Sequence, residues 1–279
     1  MTSANFAEFY RAVHGHSPFP WQERLAEVVL TDGWPSTLSI PTGCGKTSAI
    51  DVAVFSLAAQ AQLQAYERTA ALRIFLVIDR RLVVDDVTRH AKTLAEKISD
   101  GSEAVLAHVR ERLLRFGGEQ PLQVATLRGG MYRSSTWADR PNQPLVVVST
   151  VDQVGSRLLF RGYGISERGW PVHAGLVAND SLMIVDEAHL SQPFLDTVER
   201  VRRYQGDEWV EERWRVAPPL RLVTMSATSR DADAAFVLHP GDYESALKGR
   251  LEAEKFAEMK DASDLETAAA DEALLSRRW

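Results

Sequence analysis

Five short apolar runs, at residues 37–40, 73–78, 145–149, 182–185 and 220–225, have the length and composition of strands buried on both faces. Between them lie stretches whose apolar positions recur at helical spacing: 48–66, 83–98, 103–116, 151–160 and 193–203. Strands alternating with helices need right-handed crossovers, so the pattern predicts an α/β fold, a mainly parallel sheet with helices on both faces. Two more helical segments, 6–13 and 20–30, precede the first strand, separated by the breaker-rich GHSPFP, in which Pro20 suits a first helical turn. The stretch 161–180 holds four glycines and a proline and predicts a long loop with one short turn. Beyond Thr228 the chain ends in DASDLETAAADEALLSRRW, whose Ala- and Glu-rich character predicts a solvated helix or a linker.

Composition narrows the setting. At 279 residues with 45% hydrophobic and 25% charged positions, the chain is long enough to bury a core without staples. Cys44 is its one cysteine, so no internal disulfide and no cysteine-rich zinc site is expected, and a cytoplasmic location follows. No apolar run reaches a membrane span, and the start MTSANFAEFY lacks the regions of a signal peptide. The formal net charge of −6 repels a phosphate backbone, so nucleic-acid contacts must come from local groups.

The segment PTGCGKT follows the first strand and opens a helix, the context a phosphate-binding loop requires. Gly43 and Gly45 let the backbone curl, and the amides of Thr42, Gly43, Cys44 and Gly45 surround an anion that the helix N-terminus favours. Lys46 is placed to reach the β and γ phosphates of ATP, and the Thr47 hydroxyl to hold Mg²⁺. Ile40 stands where the full pattern begins with glycine. Farther on, SLMIVDEAH ends a buried strand in acids, at the edge where open α/β sheets bind ligands. Asp186 is expected to hold the metal through water, and Glu187 to orient and deprotonate the attacking water. His189, with Ser226 and Thr228 of RLVTMSATS, is expected to couple nucleotide state to motion; an ordinary cap histidine is the alternative.

Phosphate loop, DEAH and SAT in this order resemble the first RecA-like lobe of superfamily 2 helicases, across Phe19 to Thr228. The resemblance implies a RecA-like P-loop NTPase lobe over 37–240, a helical flank over 1–36, and a linker or helix over 241–279 leading to a second lobe. FPWQ resembles the adenine-reading motif, with Gln22 on the purine edge and Phe19 or Trp21 beside the ring; a hydrophobic staple to the second helix is the other reading. IDRRLVVDD, TLRGGMYR and STVDQVGSRLL resemble the strand-contacting motifs, which implicates Arg80, Arg81, Thr126, Arg128, Gly129, Thr150 and Gln153 in gripping single-stranded DNA, against the alternative of solvated surface charges.

The combination of FPWQ, DRRLVVDDV, TLRGG, VDQVGSRLLFRGYG, HAGL and DEAHLSQPF is similar to the helicase of type I CRISPR interference, a helicase-nuclease recruited to a surveillance complex on foreign DNA. That family joins the motor to a histidine-aspartate metal nuclease. Here no His-Asp dipeptide occurs, the seven histidines are too scattered for a two-metal site, and HGH at 14–16 reads as a loop. The short segment before FPWQ resembles the layout of the type I-G branch, formerly I-U, or one with the nuclease on a separate chain. A second lobe with its arginine finger is also expected elsewhere, so the lobe alone should bind nucleotide weakly and hydrolyse it poorly. An RNA helicase, a restriction-type translocase and a stand-alone nucleotide-dependent binding module remain the alternatives.

Overall fold

The computed structural model describes residues 2–79, 81–129, 136–211, 217–226 and 235–251. Seven strands form one sheet: β1 (Thr37–Ser39), β2 (Arg73–Ile78), β3 (Gln123–Leu127), β4 (Leu145–Thr150), β5 (Ser181–Val185), β6 (Arg221–Ser226) and β7 (Ala235–Val237). Their order is β3-β4-β2-β5-β6-β1-β7, and every paired register is parallel. All seven therefore present their C-terminal ends along one edge. This is an α/β fold with a parallel sheet covered on both faces, as the alternation of runs predicted.

The continuous apolar runs resolve into two faces. In β2, Ile74, Leu76 and Ile78 enter one core, while Phe75 and Val77 enter the other. The first core is covered by α1 (Ser3–His14), α2 (Pro20–Thr31), α3 (Ala49–Ala59), α4 (Arg81–Asp100) and α5 (Ala104–Leu114). The second is covered by α6 (Val151–Leu158), α7 (Trp170–Ala178) and α8 (Gln192–Tyr204). Helix α1 packs on α2, α3, α4 and α5, and Phe6 and Phe9 meet Phe55 of α3 at ring separations of 5.5 and 5.4 Å. The N-terminal flank thus shares the core of the lobe.

Four expectations change. Strand β3 was absent from the apolar pattern because QVATL is only partly buried at an edge, where one neighbour, β4, holds it. Strand β7 has three residues and exists through its pairing with β1, which no local sequence signal reports. The loop expected over 161–180 contains a turn at Glu167–Gly169 and the helix α7; Pro171 sits in the first helical turn, where it starts the helix rather than breaking it. The helix expected over 48–66 is α3 alone, which ends at Ala59. At the C-terminus, Pro240–Tyr243 and Lys248–Leu251 form short helices that fold back on the flank, with Arg24 of α2 donating to Asp242 at 3.0 Å and Leu247 fully buried. Residues 252–279 lie outside the described residues.

One buried group makes the fold acid-sensitive. His173 of α7 is packed edge-on against the Trp137 ring at 4.9 Å, and burial, aided by the Arg157 charge, pushes its pKa down to about 4. The folded chain keeps this ring neutral while the unfolded chain protonates it near pH 6.5. Stability is then full above pH 6.5 and is lost as pH falls toward 4. Between pH 7 and pH 5 the group costs about 2 kcal/mol. In paired urea titrations, His173→Leu should remove that share of the acid loss; an unchanged pH dependence would refute the assignment.

Candidate functional site

The order of strands divides the C-terminal edge. The phosphate loop follows β1 and the DEAH segment follows β5, with β6 between them. The segments implicated in nucleic-acid contact follow β2, β3 and β4, which form the adjoining half of the sheet.

Gly43 and Gly45 adopt left-handed backbone at φ +84° and +81°, so the loop curls as the glycines predicted. Lys46–Ser48 form a 3₁₀ turn leading into α3, with Thr47 half-buried within it and Thr42 exposed. The Lys46 ammonium is buried 3.6 Å from Asp186 Oδ1 and 3.8 Å from Glu187 Oε1, and it has no hydrogen-bond partner among the described residues. Asp186 is anchored by its amide donating to the Val77 carbonyl at 2.9 Å. Its Oδ1 accepts from the Glu187 amide at 3.1 Å. Glu187 itself has φ +48°, a left-handed conformation that costs an ordinary residue about 1–2 kcal/mol. Strain at this position turns the second carboxylate toward Lys46 and away from the path of the strand.

The expected coupling group is described for His189 and Ser226. His189 is 58% exposed, with Nδ1 3.6 Å from Glu187 Oε2. Ser226 ends β6, and its carbonyl accepts from the Ile40 amide at 3.1 Å, tying the DEAH side of the sheet to the strand that feeds the phosphate loop. Thr228 lies outside the described residues.

The adenine-reading expectation changes most. Gln22 is fully buried beneath the phosphate loop: its Nε2 donates to Ser48 Oγ at 2.8 Å and to the Gly45 carbonyl at 3.3 Å, and its Oε1 accepts from the Phe19 amide at 2.8 Å. Both Nε2 hydrogens and one lone pair of Oε1 are engaged within the chain, so in this conformation the amide donates to the loop rather than to a purine edge. Trp21 is likewise core, its indole N–H donating to the Cys44 carbonyl at 3.1 Å. Cys44 is buried, and burial raises its thiol pKa, which makes it a filler of the loop rather than a nucleophile. Only Phe19 remains at the mouth. Over its ring, at 5.1 Å, lies the Arg250 guanidinium, which also donates to the Gly43 carbonyl at 3.3 Å.

Arg250 carried no sequence signal, because only the turn at the C-terminus brings it back. It covers one face of the Phe19 ring, the ring expected beside an adenine. Displacing a half-exposed cation–π contact costs about 0.5–1 kcal/mol. Arg250→Ala should therefore tighten adenine-nucleotide binding by about 2- to 5-fold in a fluorescent-nucleotide titration. Weaker binding in the variant would make Arg250 a ligand instead of a cover.

On the other half of the edge, Thr126 Oγ1 shares a 3.2 Å hydrogen bond with Thr88 of α4, and Arg128 donates to Asp85 at 2.7 Å. Gly129 is half-buried beside it. Thr150 occupies the N-cap position of α6 without a side-chain capping bond and is buried, as is Gln153, whose Oε1 and carbonyl accept from Arg157. Arg80 and Arg133 lie outside the described residues, as does the side chain of Arg81 at the start of α4. A cleft of 260 Å³ joins the two halves, lined by Asp79, Thr150, Asp152, Ser191 and Phe194 among others. The described arginine is thus ion-paired, and the nearby polar groups are engaged within the lobe.

No family model matches the chain, and no curated protein matches it. Among solved structures, the DEAD-box helicase Mss116 bound to ssRNA and UDP-BeF superposes with a TM-score of 0.50 at 16% identity, over 80% of this chain and 39% of that one. Helicase Lhr of Mycobacterium smegmatis, bound to ssDNA and AMP-PNP, gives 0.48 at 18% identity over 83% of this chain and 25% of that one. The DUF1998 helicase MrfA bound to DNA and AMPPNP gives 0.48 at 13% identity over 81% and 26%. The chain spans well under half the length of each. In fold, this chain is a RecA-like lobe of the kind helicases carry.

Proposed function

We propose that the chain is the ATP-binding motor lobe of a superfamily 2 helicase that moves along single-stranded DNA. The observation that carries this reading is the buried Lys46 ammonium, poised between the glycine-turned loop and two carboxylates with no hydrogen bond of its own. Such a cation fits the phosphates of ATP. Thr47 and Asp186 would hold Mg²⁺, whose charge would neutralise that developing on the phosphates. Lys46 would orient the terminal phosphates, Glu187 would accept a proton from the attacking water, and Asp186 would hold the metal through water.

The motif set FPWQ, DRRLVVDDV, TLRGG and DEAHLSQPF supports the finer reading: a helicase of type I CRISPR interference, working with a surveillance complex, a second RecA-like lobe and a metal nuclease. The test is Mg²⁺-dependent ATP binding and hydrolysis with and without single-stranded DNA, beside single-stranded RNA of the same sequence. Nucleotide binding with slow turnover, and a preference for DNA, is the expected result. RNA-selective binding would move the chain to an RNA motor, and no ATP binding would end the motor reading altogether.

A further inference from the structure

Away from the phosphate loop, three helices bring together groups that sequence spacing does not connect. Asp51 of α3 is fully buried, yet it faces two imidazoles: His14 Nε2 of α1 lies 2.8 Å from Oδ1, and His90 Nε2 of α4 lies 2.6 Å from Oδ2. The two rings stack at 4.8 Å with 21° between their planes. Burial pushes the Asp51 carboxyl up, but its contacts with the two histidines outweigh that and hold it below its ordinary value. Nothing in the nucleotide chemistry uses this group.

We propose that His14, Asp51 and His90 form a binding site for one divalent transition-metal ion of the zinc class. The three ligand atoms already lie within 4.8 Å of one another. Two imidazole nitrogens and a carboxylate are a donor set that suits Zn²⁺, Co²⁺ or Ni²⁺ and not the all-oxygen preference of Mg²⁺. Around an ion with bonds near 2.0–2.2 Å, tetrahedral ligand atoms stand about 3.3 Å apart. The two contacts to Asp51 would open by about 0.5 and 0.7 Å, and the widest separation in the set, up to 4.8 Å, would close by up to about 1.5 Å, through rotations of the two imidazole side chains. The ion would take the place of the two protons that the imidazoles turn toward the carboxylate, and each ring would coordinate as the neutral base.

The accessibility of the three side chains fits an ion that enters from solvent. Asp51 is 0% exposed while His14 and His90 are 12% and 21% exposed, so the carboxylate forms the floor of the site and the rings its rim. Water would complete the coordination on the open side. Seated there, the ion would tie the N-terminal flank and α4 to α3, the helix into which the phosphate loop opens. His16, close in sequence, is not part of the set: its Nδ1 pairs with the Ser17 carbonyl at 3.0 Å.

The full chain, stripped with a chelator and dialysed into buffer containing Mg²⁺, is titrated with Zn²⁺ and separately with Co²⁺. One Zn²⁺ per chain is expected, with micromolar or tighter affinity, a melting temperature raised by about 5 °C, and Co²⁺ bands of a four- or five-coordinate site. His14→Gln and His90→Gln should each weaken binding at least tenfold, while His16→Gln and Asp186→Asn leave it unchanged. X-ray absorption of the unmodified Zn²⁺-loaded chain, which does not depend on any variant folding, should count two imidazoles. No stoichiometric binding, an imidazole count other than two, or affinity indifferent to His14 and His90 would overturn the site. Loss of binding in Asp186→Asn would instead assign the ion to the nucleotide pocket.

Discussion

Lys46→Ala should lower affinity for ATP by about 100-fold while leaving the melting temperature nearly unchanged. The ammonium makes no hydrogen bond in the folded chain, so its removal breaks no internal contact of that kind. What it takes away is a cation between the phosphate loop and both DEAH carboxylates, at 3.6 and 3.8 Å. A charge-assisted contact to phosphate is worth about 1.5–3 kcal/mol, and 2.7 kcal/mol corresponds to about two orders of magnitude. Adenosine, which lacks phosphates, should bind equally to both proteins. A calorimetric titration that finds ATP binding unaltered would show that this loop does not hold the phosphates.

Glu187→Gln should have the opposite signature, retaining nucleotide and losing turnover. The amide is the same size and keeps the local contacts, but it has no basic oxygen to take a proton from water. General-base catalysis contributes about 10²- to 10⁴-fold, so the slow Mg²⁺-dependent hydrolysis expected of the proposed motor lobe should fall to background. The left-handed backbone at this position adds a second expectation. Glu187→Gly should stabilise the fold by about 1 kcal/mol while abolishing turnover, because glycine relieves the φ +48° strain. Higher stability with lower activity in one substitution would identify the strain as retained for function; turnover unchanged in Glu187→Gln would assign the base elsewhere.

The motifs whose residues are contiguous were legible in the chain. PTGCGKT after a strand and DEAH at the end of another are local patterns, and the folded lobe places Lys46 beside Asp186 and Glu187 as their spacing implied. Strands β2, β4 and β5 were equally visible, because residues buried on two faces form unbroken apolar runs, and the shorter or partly exposed β1 and β6 lie within apolar runs of the same kind. Edge elements were not, since β3 and β7 depend on a single neighbour. Gln22 shows a different limit. Its presence in FPWQ is a sequence fact, but that its amide lies under the loop depends on the angle at which α2 meets α3. His14, Asp51 and His90 were invisible for the same reason, each ordinary in its own helix.

The anchoring of the phosphate loop by Trp21 and Gln22 bears on any attempt to trim this chain to a minimal nucleotide-binding unit. A cut placed before β1 would look natural, since the strand, loop and helix of the motif all lie downstream. It would remove the indole beneath Cys44 and the amide beneath Gly45, strip Phe6 and Phe9 from Phe55, and leave the loop's carbonyls over an open hydrophobic hollow. The smallest autonomous version of this lobe is therefore expected to start with α1, because the flanking helices form the floor on which the loop rests.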